Sequence, residues 1–465
     1  MIIFLLVILS PSYLSAEIDQ DVKSTAGRIN ISFADQSYDT LLLRTAYLNR
    51  IDSIFLDSSG FASFDLPVEQ PTFTFLIESN PSNPIKLIID DSFVLNIVRS
   101  KEDKSINFTG KGANLNAFLN ELTNYESELT DFFENQSSKG WENKEDIINS
   151  YFLLENMVND FSENYTSNLN DENLHTLILN ECLIHCKYLA FKNLVHFTLG
   201  KDTLLNDSDL KSIGVMNILK SDRYLTSSSH NIYNLLMIYN NYLIRKTHLE
   251  NTHEVNELEI LNAKRIAKDF KLAKTVREYL VYYNIYSSIT HNGLNEKTFD
   301  AIEFFENKFK GSRLIEELHE QINEFNTLSE GKKAFPISFQ NTLGENMSLE
   351  NFTGKFIFID VWATWCGPCL NKMPEIESLV DLFPEIQFIF LNIESEKPWR
   401  KHIENLDTNK LKNHFNLTSS DFRLKYKMTR IPRYILIDRS GNIVDAFYHH
   451  KDTESFMQVL SKNLE

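Results

Sequence analysis

The chain has 465 residues, 42% of them hydrophobic, and a formal net charge of -18. That length exceeds one ordinary domain, so two or three cores are expected. The acidic balance excludes nucleic acid as a partner, because phosphate binding needs basic patches. Four cysteines, Cys182, Cys186, Cys366 and Cys369, are too few for a disulfide scaffold in an exported protein.

In chain order, residues 1–16 read as a secretory signal peptide. Ile2 to Leu9 form an apolar run, and Leu14-Ser15-Ala16 ends in small residues suited to cleavage. The run is too short to span a bilayer, and no stable membrane insertion is expected. Residues 17–110 alternate in the manner of strands. Ile29, Ile31 and Phe33 begin the pattern, and Phe73/Phe75/Ile77, Ile85/Leu87/Ile89 and Phe93/Leu95/Ile97 repeat it. Turn formers such as Asp57-Ser58-Ser59-Gly60 separate the runs. This pattern predicts a small antiparallel β-sandwich.

Residues 111–332 change to a helical period, with Leu115, Phe118, Leu119 and Leu122 on one face. No proline interrupts the stretch, which predicts several long helices. Cys182 and Cys186 lie four apart on one predicted helix, with His185 between them. Buried core, a second redox pair and metal ligation are all open to them, and core is the expected role.

Residues 333–465 form the third predicted domain. A hairpin around Gly344 precedes the strand run Phe356 to Val361. The motif Trp365-Cys366-Gly367-Pro368-Cys369 follows at a strand-to-helix turn, with a helix to about Leu382. Strands at Phe388–Asn392, Tyr434–Ile437 and Ile443–Tyr448 and a helix from Thr453 complete the region. Two thiols at this spacing can close a reversible disulfide. No second C-x-x-C or suitably spaced His pair follows, so neither a metal nor another cofactor is expected. A cysteine at a helix start gains from unpaired N–H groups and the macrodipole. Cys366 should therefore attack and Cys369 should resolve. Asp360 is a carboxylate within an apolar strand, where desolvation raises its pKa and suits proton transfer with the resolving thiol.

From Ala334 to Glu465 the chain resembles thioredoxin. It is more closely similar to the exported thiol–disulfide oxidoreductases of the TlpA/ResA type. The resemblance rests on the Trp365–Cys369 motif, Asp360 on the preceding strand, Pro374 in the active-site helix and the Ile431-Pro432 pair. The extension before it resembles proteins of the Bacteroidota. With the patterns read before it, the resemblance gives an α+β multidomain protein: an N-terminal β-sandwich and a helical middle region from periodicity, and a C-terminal thioredoxin fold from the resemblance. It implies a periplasmic or otherwise extracytoplasmic enzyme that acts on protein disulfides and is recharged by an upstream electron donor. Trp365, Ile431 and a cis Pro432 are implied as substrate contacts. Some exported relatives carry an acid just after the motif, where this chain has Asn371 and Lys372. A reductase is the leading expectation. A disulfide oxidase or isomerase, and a partner-binding scaffold with an accessory thioredoxin-like domain, remain alternatives.

Overall fold

The computed structural model describes residues 26–33, 40–45, 51–67, 72–77, 85–100, 105–166, 172–199, 204–222, 230–250, 258–404, 411–449 and 452–463. The expected signal peptide at residues 1–16 lies outside the described residues. These residues divide into two compact units. One comprises 26–250 and 264–280, and the other 258–263 and 281–463.

The first unit begins with strands β1 (Ala26–Phe33), β2 (Thr40–Thr45), β3 (Ile51–Phe55), β4 (Phe61–Pro67), β5 (Thr72–Ile77), β6 (Ile85–Ile89), β7 (Val94–Arg99) and β8 (Ile106–Lys111). They form two four-stranded sheets, ordered β4-β1-β7-β8 and β3-β2-β5-β6. Alternate residues of both sheets meet in one core, including Ile29, Ile31, Leu41, Leu43, Leu87, Leu95 and Ile97. This follows from the two-residue period of a strand. The expectation of a wholly antiparallel arrangement is corrected: β1 pairs with β7 in parallel, Ile29 opposite Leu95 and Ile31 opposite Ile97. Two strands so far apart in sequence need no hairpin, and either direction buries the same alternating residues. In β5 the described buried residues are Thr74 and Leu76, whereas the side chains of Phe73, Phe75 and Ile77 lie outside the described set.

Helices follow as α1 (Ala113–Ser138), α2 (Lys144–Thr166), α3 (Glu172–Leu199), α4 (Asp207–Ser212), α5 (Val215–Leu219), α6 (His230–Glu250), α7 (Leu258–Ile266), α8 (Lys274–Asn292), α9 (Glu296–Lys308) and α10 (Leu314–Phe325). Strand β6 is the edge of its sheet, and α1 covers it. Asn116 of α1 accepts from the Ile88 amide at 2.9 Å and donates to the Ile88 carbonyl at 3.0 Å. A side-chain amide thus satisfies backbone groups that an open edge would expose. Helix α3 carries Cys182 and Cys186, both buried and both free thiols.

The second unit holds a seven-stranded sheet with order β10-β9-β13-β12-β11-β14-β15. Its strands are β9 (Ser338–Asn341), β10 (Asn346–Ser348), β11 (Phe356–Trp362), β12 (Ile386–Asn392), β13 (His414–Leu417), β14 (Arg433–Ile437) and β15 (Ile443–Tyr448). Helices α11 (Gly367–Leu382), α12 (Glu396–Ile403), α13 (Phe422–Lys425) and α14 (Thr453–Asn463) accompany them. Strand β11 is central and buried throughout, as its unbroken apolar run requires. Its even-numbered residues Phe356, Phe358 and Trp362 share a core with Cys369, Met373 and Ile376 of α11 and Phe456 and Leu460 of α14. Strand β13 is absent from the sequence reading. It lies inside the segment 394–430, is four residues long, and carries His414 and Asn416 where an apolar pair would have marked a strand.

The C-terminal end of α8, with α10, packs on this sheet within the same unit. Phe325 stacks on Phe447 at 5.8 Å, and His449 Nε2 lies 3.0 Å from Asn292 Oδ1. Gly293 ends α8 at a φ of 69°, and a Cβ there would stand 2.5 Å from the Phe447 ring. Both the left-handed backbone and the close ring require glycine.

Candidate active site

Strand β11 ends at Trp362, and a tight turn brings the chain to Cys366, the N-cap of α11. The turn is held from outside. Glu394 accepts from the Thr364 amide at 3.0 Å and from its hydroxyl at 2.6 Å. The Glu394 amide in turn donates to Asn392 Oδ1 at 2.9 Å, and Asn416 donates to the Glu394 carbonyl at 3.0 Å. The ends of β12 and β13 therefore fix the approach to the first cysteine.

Cys366 and Cys369 are joined in a disulfide. The Cys369 amide donates to Cys366 Sγ at 3.2 Å. It is one of the unpaired donors at the start of α11, and it points at the sulfur that would carry charge after reduction. Exposure of the pair is small, 5% for Cys366 and 1% for Cys369. Cys366 is thus the more open of the two by a narrow margin, and far less open than a free helix start suggests. Trp365 beside it is 53% exposed.

Asp360 sits on the even face of β11, toward α11, and is 2% exposed. Its Oδ1 has no hydrogen-bond partner. Burial first, and the nearby Glu377 carboxyl second, push its pKa up to about 8. Strand pairing places Tyr434 opposite Asp360, and that phenol is in turn raised by burial and by Asp360.

The antiparallel register of β11 and β14 sets Val361 opposite Arg433. The chain therefore enters β14 at the same sheet end from which the cysteine turn leaves. Ile431 and Pro432 stand there, joined by a cis peptide, and Ile431 packs against the core that includes both cysteines. Their flanks are tied down. Arg433 is buried, donates from Nε to the Ala446 carbonyl at 2.6 Å, and lies 3.6 Å above the Phe447 ring. Arg430 donates to the His291 carbonyl at 3.4 Å.

Sequence reasoning missed Glu377, Glu394, His414 and Arg433. Glu377 carried a weak signal: it lies eight residues after Cys369 on α11, next to buried Ile376. His414 carried none, since the strand that buries it was not legible.

This arrangement, a C-x-x-C at a helix start beside a buried acid and a cis-proline loop, defines a thioredoxin-like redox site. Comparison with known proteins agrees. Residues 329–460 match the family model described as Redoxin. A thioredoxin-like protein, YneN of Bacillus subtilis, is 28% identical over 120 residues, covering 25% of this chain and 71% of that protein. The thiol-disulfide oxidoreductase ResA of Bacillus thuringiensis is 26% identical over 136 residues, covering 28% and 77%. A solved thioredoxin domain of a thiol-disulfide oxidoreductase from Bacteroides vulgatus is 24% identical, covers 28% of this chain and 96% of its own, and has a TM-score of 0.26. Residues 329–460 therefore form a Redoxin domain similar to the TlpA/ResA-type thiol–disulfide oxidoreductases, and the chain is an oxidoreductase. Among the described residues, no helix is long and apolar enough to cross a membrane.

Proposed function

We propose that the protein is an exported thiol–disulfide oxidoreductase that reduces protein disulfides and is itself recharged by an upstream electron donor. The observation that carries this reading is the Cys366–Cys369 bridge at the start of α11, set beside buried Asp360. In the reduced enzyme the Cys366 thiolate attacks one sulfur of a substrate disulfide; a mixed disulfide forms as the substrate S–S bond breaks and its other sulfur leaves as a thiolate. Cys369 gives its proton to the Asp360 carboxylate. The resulting thiolate bonds to Cys366 Sγ, and the substrate sulfur leaves with the electron pair. Exposed Trp365 and the Ile431–Pro432 segment flank the thiols and serve as substrate contacts.

The two N-terminal sheets with their shared core serve as a β-sandwich-like domain, residues 17–110, and the helices of 111–332 as a second domain before the redox domain of 333–465. These preceding regions select partners more than they set chemistry. Residues 1–16 direct export, and mass measurement of the mature chain from an extracytoplasmic fraction tests that: retention of Met1 overturns it.

The direction of electron flow is tested by the reduction potential of the Cys366–Cys369 pair. A value near about -270 mV supports the reductase, and one near about -120 mV gives the site to an oxidase. In the full chain, Cys369→Ser should trap substrates as mixed disulfides. A variant that traps nothing while the wild type still binds its partner would hand the function to a scaffold.

A further inference from the structure

The register of four adjacent strands lays out a row on the α11 face of the sheet. Tyr434 of β14 stands opposite Asp360 of β11, Asp360 opposite Phe390 of β12, and Phe390 opposite His414 of β13. Residues paired in this way face the same side. His414 is 0% exposed and stacks on Phe390 at 4.9 Å with an interplanar angle of 17°. Neither of its ring nitrogens has a hydrogen-bond partner. Two strand spacings, about 10 Å, separate Asp360 from His414. Glu377 reaches down from α11 above this row. Its Oε1 lies 3.6 Å from His414 Nε2, just beyond hydrogen-bond length, and its charge is felt at Asp360. A buried imidazole and a buried carboxyl, with a second, nearly buried carboxyl above them, are costly unless their charges are offset. Plain packing would have placed an apolar residue at each position.

We propose that Glu377, set beside His414, is a positioning residue for the proton at Asp360: its carboxylate opposes ionisation of Asp360 across this face, and His414 holds it there. The proposal rests on the dithiol reading above. When Cys369 resolves the mixed disulfide, its proton arrives at Asp360. Glu377 as a carboxylate opposes ionisation of Asp360 and so makes it a stronger base. His414, with Nε2 3.6 Å from Glu377 Oε1, keeps that carboxyl over the row. Burial acts on Asp360 in the same sense. The other ionisable groups around the layer are Tyr434 on β14, Tyr448 on β15, Glu375 and Lys372 on α11, His402 on α12, Glu394 after β12, and the two thiols. Lys372 pairs with Glu375 at 2.7 Å, and His402 shares the Trp362 ring with His414, at 5.1 and 6.0 Å.

The test follows resolution of a mixed disulfide on Cys366, formed by mixing the reduced full chain with oxidised glutathione, from about pH 5 to about pH 9. Glu377→Gln removes the opposing charge. The acid limb of the resolving rate should then move down by about one pH unit. Glu377→Asp, which keeps the charge, should restore it. His414→Phe keeps the stack on Phe390 and should move the limb in the same direction. The double variant should move it no further than Glu377→Gln alone. A folded Glu377→Gln enzyme whose rate falls evenly at every pH, with the limb unmoved, overturns the proposal. So does a His414→Phe shift that persists in the Glu377→Gln background. Should Glu377→Gln fail to fold, carboxyl NMR titration of the wild-type protein decides. Asp360 and Glu377 should titrate as a linked pair in two steps, and a single independent step for Asp360 ends the idea. A wild type that forms no mixed disulfide at all defeats the dithiol reading instead, and the NMR titration still judges the pair.

Discussion

The chain contains two close pairs of buried cysteines, and they differ in almost everything that governs thiol chemistry. Cys366 and Cys369 open a helix, so an unpaired amide faces sulfur and the macrodipole favours a thiolate. Cys182 and Cys186 lie in the middle of α3, where every amide is spent within the helix and burial pushes the thiols up, Cys186 to about 12 and Cys182 well above its ordinary value. The neighbouring carboxyl of Glu126 adds to the rise at both. His185 between them is occupied, with Nε2 3.0 Å from Thr130 Oγ1 and Nδ1 3.3 Å from Asn231 Oδ1. Burial alone therefore does not silence a cysteine. Position along the helix decides whether the buried sulfur meets unpaired helix-end donors or an environment in which burial outweighs the nearby Lys86 and Lys187 charges.

The largest expected effect tests the active pair directly. Cys366→Ser should lower disulfide exchange by roughly 10^3-fold or more, in the range seen when a nucleophile is deleted. Substituting both Cys182 and Cys186 by Ala should leave the rate within about twofold and cost about 1–3 kcal/mol of stability from lost packing. A rate loss in the double variant beyond its fraction unfolded would break the comparison. Mass mapping after oxidation should find the Cys366–Cys369 bridge and unmodified Cys182 and Cys186. A bridge between the latter two would show that the mid-helix pair is not inert.

Asp360→Asn comes next. The resolving step should slow by about 10^2-fold near pH 8, where the wild-type carboxyl gains its basic form. Its effect on stability carries the opposite sign. An acid whose pKa is raised in the folded state binds more protons folded than unfolded between about pH 4 and about pH 8, so folded stability falls as pH rises through that window. Asp360→Asn should therefore raise the melting temperature at pH 9 more than at pH 5, where the native carboxyl is already neutral. An equal shift at both values would remove burial of the charge as the cause.

A smaller effect concerns the limits of the redox unit. A fragment of residues 281–465 should melt higher than one of residues 333–465, since the shorter piece loses the Phe325–Phe447 stack, the Lys427–Glu324 ion pair at 3.0 Å and the Arg430–His291 contact. In the full chain, Gly293→Ala should cost about 1–2 kcal/mol, because it sets a side chain in the left-handed region against Phe447. Identical melting of the two fragments would place these contacts outside the stability of the thioredoxin-like fold.

Much of the second unit is written in local sequence. The apolar run of β11, the Trp365–Cys369 motif and the largely apolar runs of β14 and β15 each depend on neighbours a few residues away. Periodicity and turn chemistry report such neighbours. Local pattern also marked Asp360 as a buried acid, because a lone carboxylate in an apolar strand has nowhere else to go. It could not show the direction of β1 against β7, since both pairings bury the same alternating side chains. It could not show β13, whose His414 and Asn416 read as loop until β12 and β9 close on either side. Glu377 reads as one more acid on a helix surface, and only the approach of α11 over the Asp360–Phe390–His414 row gives it a partner. Sequence by itself determined most of the elements, the thiols and the acid, because those follow from short-range pattern and from the chemistry of single side chains. The tertiary structure alone decided which charges share a dry layer, because that depends on strand order and helix placement across some fifty residues of chain, from Asp360 to His414.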